Sequence, residues 1–252
     1  MIKEYFNIII LIWIGIALLL FPVLLKISAP YGRHTRKGWG AVLPNRLGWV
    51  IMETPSLIVF LIFSLTGQNS PSGLTWLFIV IWTVHYTNRA FIYPMRTHTK
   101  GKMMPLIIIA FAICFNLVNG FMNGFYFGTI RPGFQINLAL DIRFITGVIL
   151  FFVGAFINVQ SDNILLSLRK KTTNGYVIPE GGVFKYVSCP NFFGEILEWG
   201  GFALMTWSPA ALAFVIWTIV NLLPRGIDHH KWYKEKFPDY PAKRKAIIPF
   251  LL

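Results

Sequence analysis

Apolar residues form long blocks along this chain, separated by short polar and basic segments. A helix needs about 20 apolar residues to cross the hydrocarbon core of a bilayer. Blocks of about that length cover residues 6–25, 49–65, 74–93, 104–125 and 144–168. The last block, residues 192–223, is too long for one span, and the proline of Ser208-Pro209 is expected to break it. The pattern therefore predicts an all-α fold of seven transmembrane helices.

Basic residues are distributed unevenly between the segments that join these helices. The loops after helices one, three and five, together with the C-terminal tail, hold 20 of the 23 Lys and Arg residues, and the opposite side holds three. Loops rich in Lys and Arg remain in the cytoplasm. The alternation predicts an N-terminus outside and a C-terminus in the cytoplasm, and it requires two helices in the last block.

Composition also indicates a lipid environment. Hydrophobic residues make up 55% of the chain and charged residues 13%, whereas soluble domains are about 25% charged. The net charge of +13 would suit nucleic acid, but we exclude that partner because the basic residues lie between the apolar blocks. We expect a monomeric, multi-pass integral membrane protein, in the inner membrane of a bacterium or the endoplasmic reticulum of a eukaryote.

Several common ligand-binding patterns are absent from the sequence. Cys114 and Cys189 match neither a metal site nor a disulfide framework. The chain contains no G-x-G-x-x-G after a strand, no Walker A motif and no H-E-x-x-H. Any nucleotide must therefore be held by membrane helices and their loops, and no metal is expected. Without internal repeats, residues 1–252 are predicted to form a single domain.

Helix two contains one ionisable residue, Glu53, in an otherwise apolar segment. An ionised group near the bilayer centre costs about 2.5–3.5 kcal/mol on insertion scales. Such residues usually face an interior cavity, where Glu53 could hydrogen bond to a carbonyl oxygen. The alternative is a carboxyl group near the membrane interface that serves packing.

Helix three ends with several polar and aromatic residues. His85 and Arg89 are four residues apart on one face, and Tyr86 and Tyr93 share another face. A tyrosine hydroxyl close to Glu53 would form a pair of donors for a substrate oxygen. An interfacial belt of aromatic residues beside a basic helix end explains the pattern equally well.

Helix five ends with an amide, a carboxylate and a guanidinium on one face, at Asn158, Asp162 and Arg169. These groups suit a nucleotide, because Asp162 can accept from hydroxyls and Arg169 can bind phosphate. An ordinary cytoplasmic helix end is the alternative.

Two further polar faces occur nearer the C-terminus. Asn191, Glu195 and Glu198 are spaced at i, i+4 and i+7, and two carboxylates at the start of a membrane helix are difficult to explain by packing. The tail has Arg225, His229 and Tyr233 at intervals of four residues. The tail could equally be a basic amphipathic helix on an anionic leaflet, and this is compatible with ligand binding.

These segments together resemble the steroid 5α-reductase family, also called 3-oxo-5-alpha-steroid 4-dehydrogenases. The resemblance covers most of the chain and is densest from Asn158 to the C-terminus. The motifs that carry it are Asn158-x-x-Ser-Asp-x-Ile-Leu, Tyr176-x-Ile-Pro-x-Gly-Gly-x-Phe-x-Tyr-Val-Ser, Asn191-Phe-x-Gly-Glu-x-x-Glu-Trp, Thr206-Trp-Ser, Arg225-x-x-x-His-x-x-x-Tyr, Asp239-Tyr-Pro-x-x-Arg-Lys-Ala-x-Ile-Pro-Phe, Glu53, His85-Tyr86-x-x-Arg89 and Asn119-Gly-Phe-x-x-Gly124.

The resemblance implies seven transmembrane helices and an NADPH-dependent reduction of a Δ4-3-keto steroid or a similar lipophilic enone. It implies hydride transfer to the β carbon of the enone and proton addition at the α carbon. It assigns Glu53 and Tyr86 to the ketone oxygen, with Asn119 as a further substrate-binding residue. The implied cofactor-binding residues are Asn158, Asp162, Arg169, Tyr176, Asn191, Glu195, Arg225, His229 and Tyr233.

Two other functions compete with this interpretation. A membrane methyltransferase of the isoprenylcysteine carboxyl type would bind S-adenosylmethionine, but the Arg225-Gly-Ile-Asp-His-His segment lacks the paired glutamates expected there. A transporter could use Glu53, Glu195 and Glu198 for proton coupling. A transporter would be expected to show inverted repeats, however, and we find none in the sequence.

Overall fold

The computed structural model describes residues 2–30, 32–34, 36, 38–68, 70–97, 99, 101–131, 133–134, 141–171 and 176–252. The α-helices within these ranges are α1 Ile2–Lys26, α2 Asn45–Leu65, α3 Thr75–Thr87, α4 Tyr93–Arg96, α5 Leu106–Phe125, α6 Ile142–Lys171, α7 Pro190–Thr206 and α8 Pro209–Lys236. Two π-helical turns, Asn88–Ile92 and Tyr126–Ile130, join α3 to α4 and extend α5. Short 3₁₀ turns cover Gly32–His34 and Gly182–Lys185.

The predicted helix break near Ser208-Pro209 is present. Helix α7 ends at Thr206, Trp207 adopts a left-handed conformation with φ 46°, and α8 begins at Pro209. Helix α8 extends beyond the apolar block that ends at residue 223, and continues through Pro224 to Lys236. Hydropathy identifies the apolar part of a helix, and it gives no signal for the polar part of α8 that follows.

Among the residues that the structure describes, five helical segments are long and apolar enough to cross a membrane, by length and composition: Ile2–Lys26, Asn45–Leu65, Leu106–Ile130, Ile142–Arg169 and Pro209–Lys236. Helix α1 exposes large apolar side chains, with Leu11 67% and Leu19 78% exposed. These features fit a multi-pass membrane protein. Since α3 has 13 residues and α7 has 17, the seven spans and the orientation of the termini remain predictions.

Four short strands join the helices in the described part of the chain, and the all-α prediction did not include them. β1 (Val42–Pro44) pairs antiparallel with β3 (Met103–Pro105), and β2 (Ser72–Gly73) pairs parallel with β4 (Gly133–Phe134). With two or three residues each, these strands are too short to show the alternation that identifies strands in a sequence.

The chain divides into two compact units. The first comprises Met1–Ile10 and Ala29–Leu140, and the second comprises Leu11–Ser28 and Asp141–Leu252. In the first unit, α2 and α5 approach closely because glycines lie at their contact. A Cβ atom on Gly124 would lie 2.6 Å from the carbonyl oxygen of Phe60. The backbones of α2 and α5 therefore fix each other's positions.

The second unit is built on a close contact between α6 and α7. A Cβ atom on Gly154 of α6 would lie 2.3 Å from the backbone nitrogen of Glu198, and one on Gly194 of α7 would lie 2.6 Å from that of Asn158. Small residues allow membrane helices to approach in this way. The contact brings the polar residues of the two helices together.

Helix α6 begins at an aspartate that caps it. Oδ1 of Asp141 accepts hydrogen bonds from the backbone nitrogens of Arg143, at 2.9 Å, and Phe144, at 3.3 Å. The Arg143 guanidinium also donates to both carboxylate oxygens, at 3.1 and 2.8 Å. This side-chain hydrogen bonding lowers the pKa of Asp141 from 3.8 to about 2.

Candidate active site

Tyr86 lies in the interior of the first unit, near the end of α3. Its side chain is 3% exposed, and its ring centre lies 5.0 Å from that of Trp82. Trp82 stacks on Phe60 of α2 at 4.5 Å and donates its indole hydrogen to the carbonyl oxygen of Ser56 at 3.4 Å. Aromatic packing against α2 thus holds the Tyr86 phenol in place.

The structure brings Asn119 of α5 to the Tyr86 hydroxyl. Nδ2 of Asn119 donates to the phenol oxygen at 3.3 Å, and Asn119 itself is 3% exposed. The two residues are 33 positions apart in the chain. Their proximity provides a phenol whose oxygen already accepts one hydrogen bond, in surroundings where water does not compete.

Glu53 lies half-buried on α2. The backbone carbonyl groups of Met52 and Ser56, on either side of it, accept hydrogen bonds from α5 and α3. The carbonyl oxygen of Met52 accepts from Nδ2 of Asn116 at 2.5 Å, and that of Ser56 accepts from Trp82. Pro55 also lies inside this part of the helix. The turn that carries Glu53 is therefore anchored by the same helices that carry Tyr86 and Asn119.

Arg89 and Tyr93 form a separate aromatic–cation cluster. The Arg89 guanidinium lies 5.3 Å from the ring centre of Trp49 and 5.4 Å from that of Tyr93. Arg89 also lies in the π-helical turn Asn88–Ile92. Tyr93 therefore lies beside Arg89, whereas Tyr86 lies in the interior with Asn119.

In the second unit, α6 and α7 place two amides and a carboxylate in one chain of hydrogen bonds. Nδ2 of Asn158 donates to the backbone oxygen of Asn191 at 2.9 Å, and Nδ2 of Asn191 donates to Oδ1 of Asp162 at 3.3 Å. Asn158 and Asp162 are 4% and 6% exposed. Three of the predicted cofactor-binding residues are thus in contact.

Two predicted residues of α8 contact the same aromatic ring of α7. The Arg225 guanidinium lies 5.2 Å from the ring centre of Phe192, and the His229 ring lies 5.6 Å from it. Phe192 directly follows Asn191, so these α8 residues lie close to the amide cluster. A cation and an imidazole at this position could bind phosphate groups.

The remaining predicted cofactor residues lie on α6, α7 and α8 and in the segment between α6 and α7. Tyr176 packs against Trp232 at 4.9 Å, and Trp232 packs against the buried Tyr233 at 5.2 Å. Glu195 is half-buried on α7, whereas Glu198 is buried at the contact with α6. Arg169 is half-buried in the last turn of α6, about two turns beyond Asp162.

Ser188 centres a buried hydrogen-bond cluster that the sequence did not predict. Its Oγ lies 2.6 Å from Nδ1 of His230, 2.5 Å from the Tyr240 hydroxyl, and 3.2 Å from the carbonyl oxygen of Lys245. Tyr240 also stacks on Tyr233 at 5.3 Å. The cluster links the C-terminal segment to α8 by hydrogen bonds. In the sequence, only the motifs around residues 188 and 240 indicated it.

Asn116 and Asn123 were also missed as candidates. With Asn119 they form a series of buried amides at i, i+3 and i+7 on the otherwise apolar α5. This spacing places all three on one helix face, and it could have identified them. Among the described residues, no group of three or more His, Cys, Asp or Glu side chains could hold a metal ion.

The fold and these clusters define a class of polytopic helical membrane protein with buried polar groups in each unit. A model of the 3-oxo-5-alpha-steroid 4-dehydrogenase family matches residues 102–252. The chain belongs to this family.

Similar proteins come from plants and animals. The chain is 41% identical to a steroid 5-alpha-reductase of Arabidopsis thaliana, over 91% of this chain and 90% of that protein. It is 40% identical to 3-oxo-5-alpha-steroid 4-dehydrogenase 1 of Homo sapiens, over 89% and 86%, and 39% identical to the Bos taurus protein of the same name, over 91% of both chains.

Proposed function

We propose that this protein reduces the Δ4 double bond of a 3-oxo-Δ4-steroid, or of a similar lipophilic enone, to the 5-alpha-reduced ketone with NADPH. The observation that carries the proposal is the buried contact between Tyr86 and Asn119, in a chain that belongs to the 3-oxo-5-alpha-steroid 4-dehydrogenase family. The name of the Arabidopsis thaliana relative also states steroid 5-alpha reduction.

Glu53 and Tyr86 bind the ketone oxygen in this proposal, with Asn119 beside them. Negative charge develops on that oxygen while the β carbon of the enone gains a hydride. Donors that already point to the oxygen stabilise this charge most where water is excluded. The buried Tyr86 phenol meets this requirement, because aromatic packing and Asn119 fix its position.

Residues of the second unit hold the dinucleotide. The proposed set is Asn158, Asp162, Arg169, Tyr176, Asn191, Glu195, Arg225, His229 and Tyr233. Asp162 can accept from ribose hydroxyls, and Arg169 and Arg225 can bind phosphates. The chain of amides that leads to Asp162 fits this role, because it orients the carboxylate within a buried site. When bound, NADPH supplies the hydride for the β carbon, and a proton is added at the α carbon.

We also propose a membrane topology, a cellular location and an oligomeric state. A single domain of seven transmembrane helices, with the N-terminus outside and the C-terminus in the cytoplasm, would expose the dinucleotide-binding helix ends to cytoplasmic NADPH. The membrane would be the bacterial inner membrane or the endoplasmic reticulum, and the protein would act as a monomer.

Enone-dependent oxidation of NADPH by the purified protein tests this function. We expect NADPH consumption with a Δ4-3-keto steroid, and a product heavier by two hydrogens in mass spectrometry. The corresponding saturated 3-keto steroid is the control and should leave NADPH unchanged. Methyl transfer from S-adenosylmethionine without NADPH consumption would contradict the proposal.

A further inference from the structure

We infer that Asn123 is a positioning residue: by orienting the amide of Asn119, it makes the Tyr86 hydroxyl a hydrogen-bond donor toward the substrate. This inference rests on the proposed function, in which Tyr86 binds the ketone oxygen. Asn123 lies on α5, one helical turn beyond Asn119, and its side chain is fully buried.

The amide of Asn123 forms two hydrogen bonds with the same residue. Its Nδ2 lies 3.1 Å from the backbone oxygen of Asn119 and 3.1 Å from the Oδ1 atom of Asn119. A backbone carbonyl oxygen can only accept, so Asn123 must present its NH₂ group on this side. The opposite orientation would place Oδ1 of Asn123 against the backbone oxygen of Asn119, which cannot donate.

The orientation of Asn123 determines that of Asn119. Since Asn123 donates, the atom of Asn119 that faces it must be the oxygen, and the NH₂ group of Asn119 must face Tyr86. The phenol oxygen then accepts from Asn119. Its own hydrogen is directed elsewhere, which is the arrangement required to donate to a ketone oxygen. A reversed Asn119 would instead take the phenol hydrogen for its own oxygen.

The cost of Asn123 to the fold supports a role beyond packing. Its Oδ1 atom is buried and has no hydrogen-bond partner among the described residues. A buried acceptor without a partner destabilises a protein relative to an apolar side chain of the same shape. Leucine would fill this volume without that cost, so helix packing alone does not explain an asparagine here.

The test compares Asn123→Leu with Ser64→Ala. Ser64 provides the control, because it is a buried polar residue of the same unit whose hydroxyl donates to the carbonyl oxygen of Leu61 in its own helix. We expect Asn123→Leu to lower kcat about tenfold or more, a smaller effect than the 10²–10³-fold of losing a direct donor. KM and NADPH affinity should change little. Ser64→Ala should keep wild-type kcat.

A second variant covers the case in which Asn123→Leu does not fold. Asn123→Thr retains one hydroxyl hydrogen, which can bond the carbonyl oxygen four residues earlier as Thr83 and Thr206 do. That hydrogen cannot also hold Oδ1 of Asn119. We expect the same loss of kcat, and wild-type kcat in every folded Asn123 variant would overturn the inference.

Combining the Asn123 variants with Tyr86→Phe distinguishes a failure of this inference from a failure of the proposed function. If Asn123 acts through the phenol, Asn123→Leu or Asn123→Thr should not lower kcat further in the Tyr86→Phe background. Fully additive losses would overturn the inference. Wild-type turnover of Tyr86→Phe alone would instead contradict the proposed function. A slow Tyr86→Phe enzyme with unaffected Asn123 variants would contradict only the inference.

Discussion

Gly194 of α7 faces the backbone of Asn158 of α6, and a Cβ atom at Gly194 would lie 2.6 Å from the Asn158 nitrogen. Asn158 in turn donates to the backbone oxygen of Asn191, at the start of α7. The close helix contact and the proposed dinucleotide site therefore depend on each other.

Replacement of Gly194 by alanine tests this dependence. We expect Gly194→Ala to destabilise the protein by about 1–3 kcal/mol, because backbone atoms must move to admit the methyl group. It should also weaken NADPH binding. Gly200→Ala on the same helix is the control, since its Cβ would meet nothing within 4 Å. Equal thermal midpoints for the two variants in detergent would contradict the prediction.

The Ser188 cluster is predicted to stabilise the C-terminal segment. Ser188→Ala removes the hydroxyl that His230 and Tyr240 both contact, and unsatisfied buried groups cost about 1–3 kcal/mol. We expect a lower thermal midpoint. The exposed Ser167, whose hydroxyl donates to the carbonyl oxygen of Ile164 in its own helix, provides the control variant Ser167→Ala. The prediction fails if both serine variants unfold at the wild-type temperature.

The helix cap at Asp141 predicts a particular pH dependence. The Arg143 side chain lowers the pKa of Asp141 to about 2 in the folded protein, below the usual 3.8. A lowered pKa means that the ionised carboxylate stabilises the fold above pH 3.8, and that this stabilisation is lost as pH falls toward 2. Asp141→Asn should therefore lower the thermal midpoint near neutral pH and have progressively less effect in acid.

A control is needed for the change in net charge at Asp141. Asp239→Asn changes an exposed carboxyl group in the C-terminal tail, three residues beyond the end of α8. We expect it to leave the thermal midpoint near the wild-type value. A pH-independent difference between Asp141→Asn and wild type would show that the carboxylate does not contribute through its ionisation.

Arg169 is predicted to bind the phosphate that distinguishes NADPH from NADH. Loss of a hydrogen bond to a charged group costs about 1.5–3 kcal/mol, so Arg169→Ala should raise the Kd for NADPH tenfold or more. The Kd for NADH should change little. Lys231→Ala removes an exposed cation from α8 and serves as the control. Equal weakening of both dinucleotides by Arg169→Ala would exclude this role.

Sequence periodicity predicted helices and the residues on each face, but not which faces meet. The break at residues 207–208 was predictable because proline begins the following helix. The contacts of Tyr86 with Asn119 and of Asn158 with Asn191 each join positions 33 residues apart. They depend on how closely helices pack, and glycines such as Gly124 and Gly194 determine that distance. The short strands and the polar end of α8 gave no hydropathy signal.

In the proposed reaction, Glu53 and Tyr86 bind the ketone oxygen of the enone that the protein reduces. Steady-state, enone-dependent NADPH oxidation by the wild type, Glu53→Gln and Tyr86→Phe measures this role. We predict turnover in the wild type, and kcat lower by about 10²–10³-fold in each variant, as for loss of an oxyanion donor, with NADPH affinity nearly unchanged. Wild-type kcat in both variants would contradict the proposed role of these two residues.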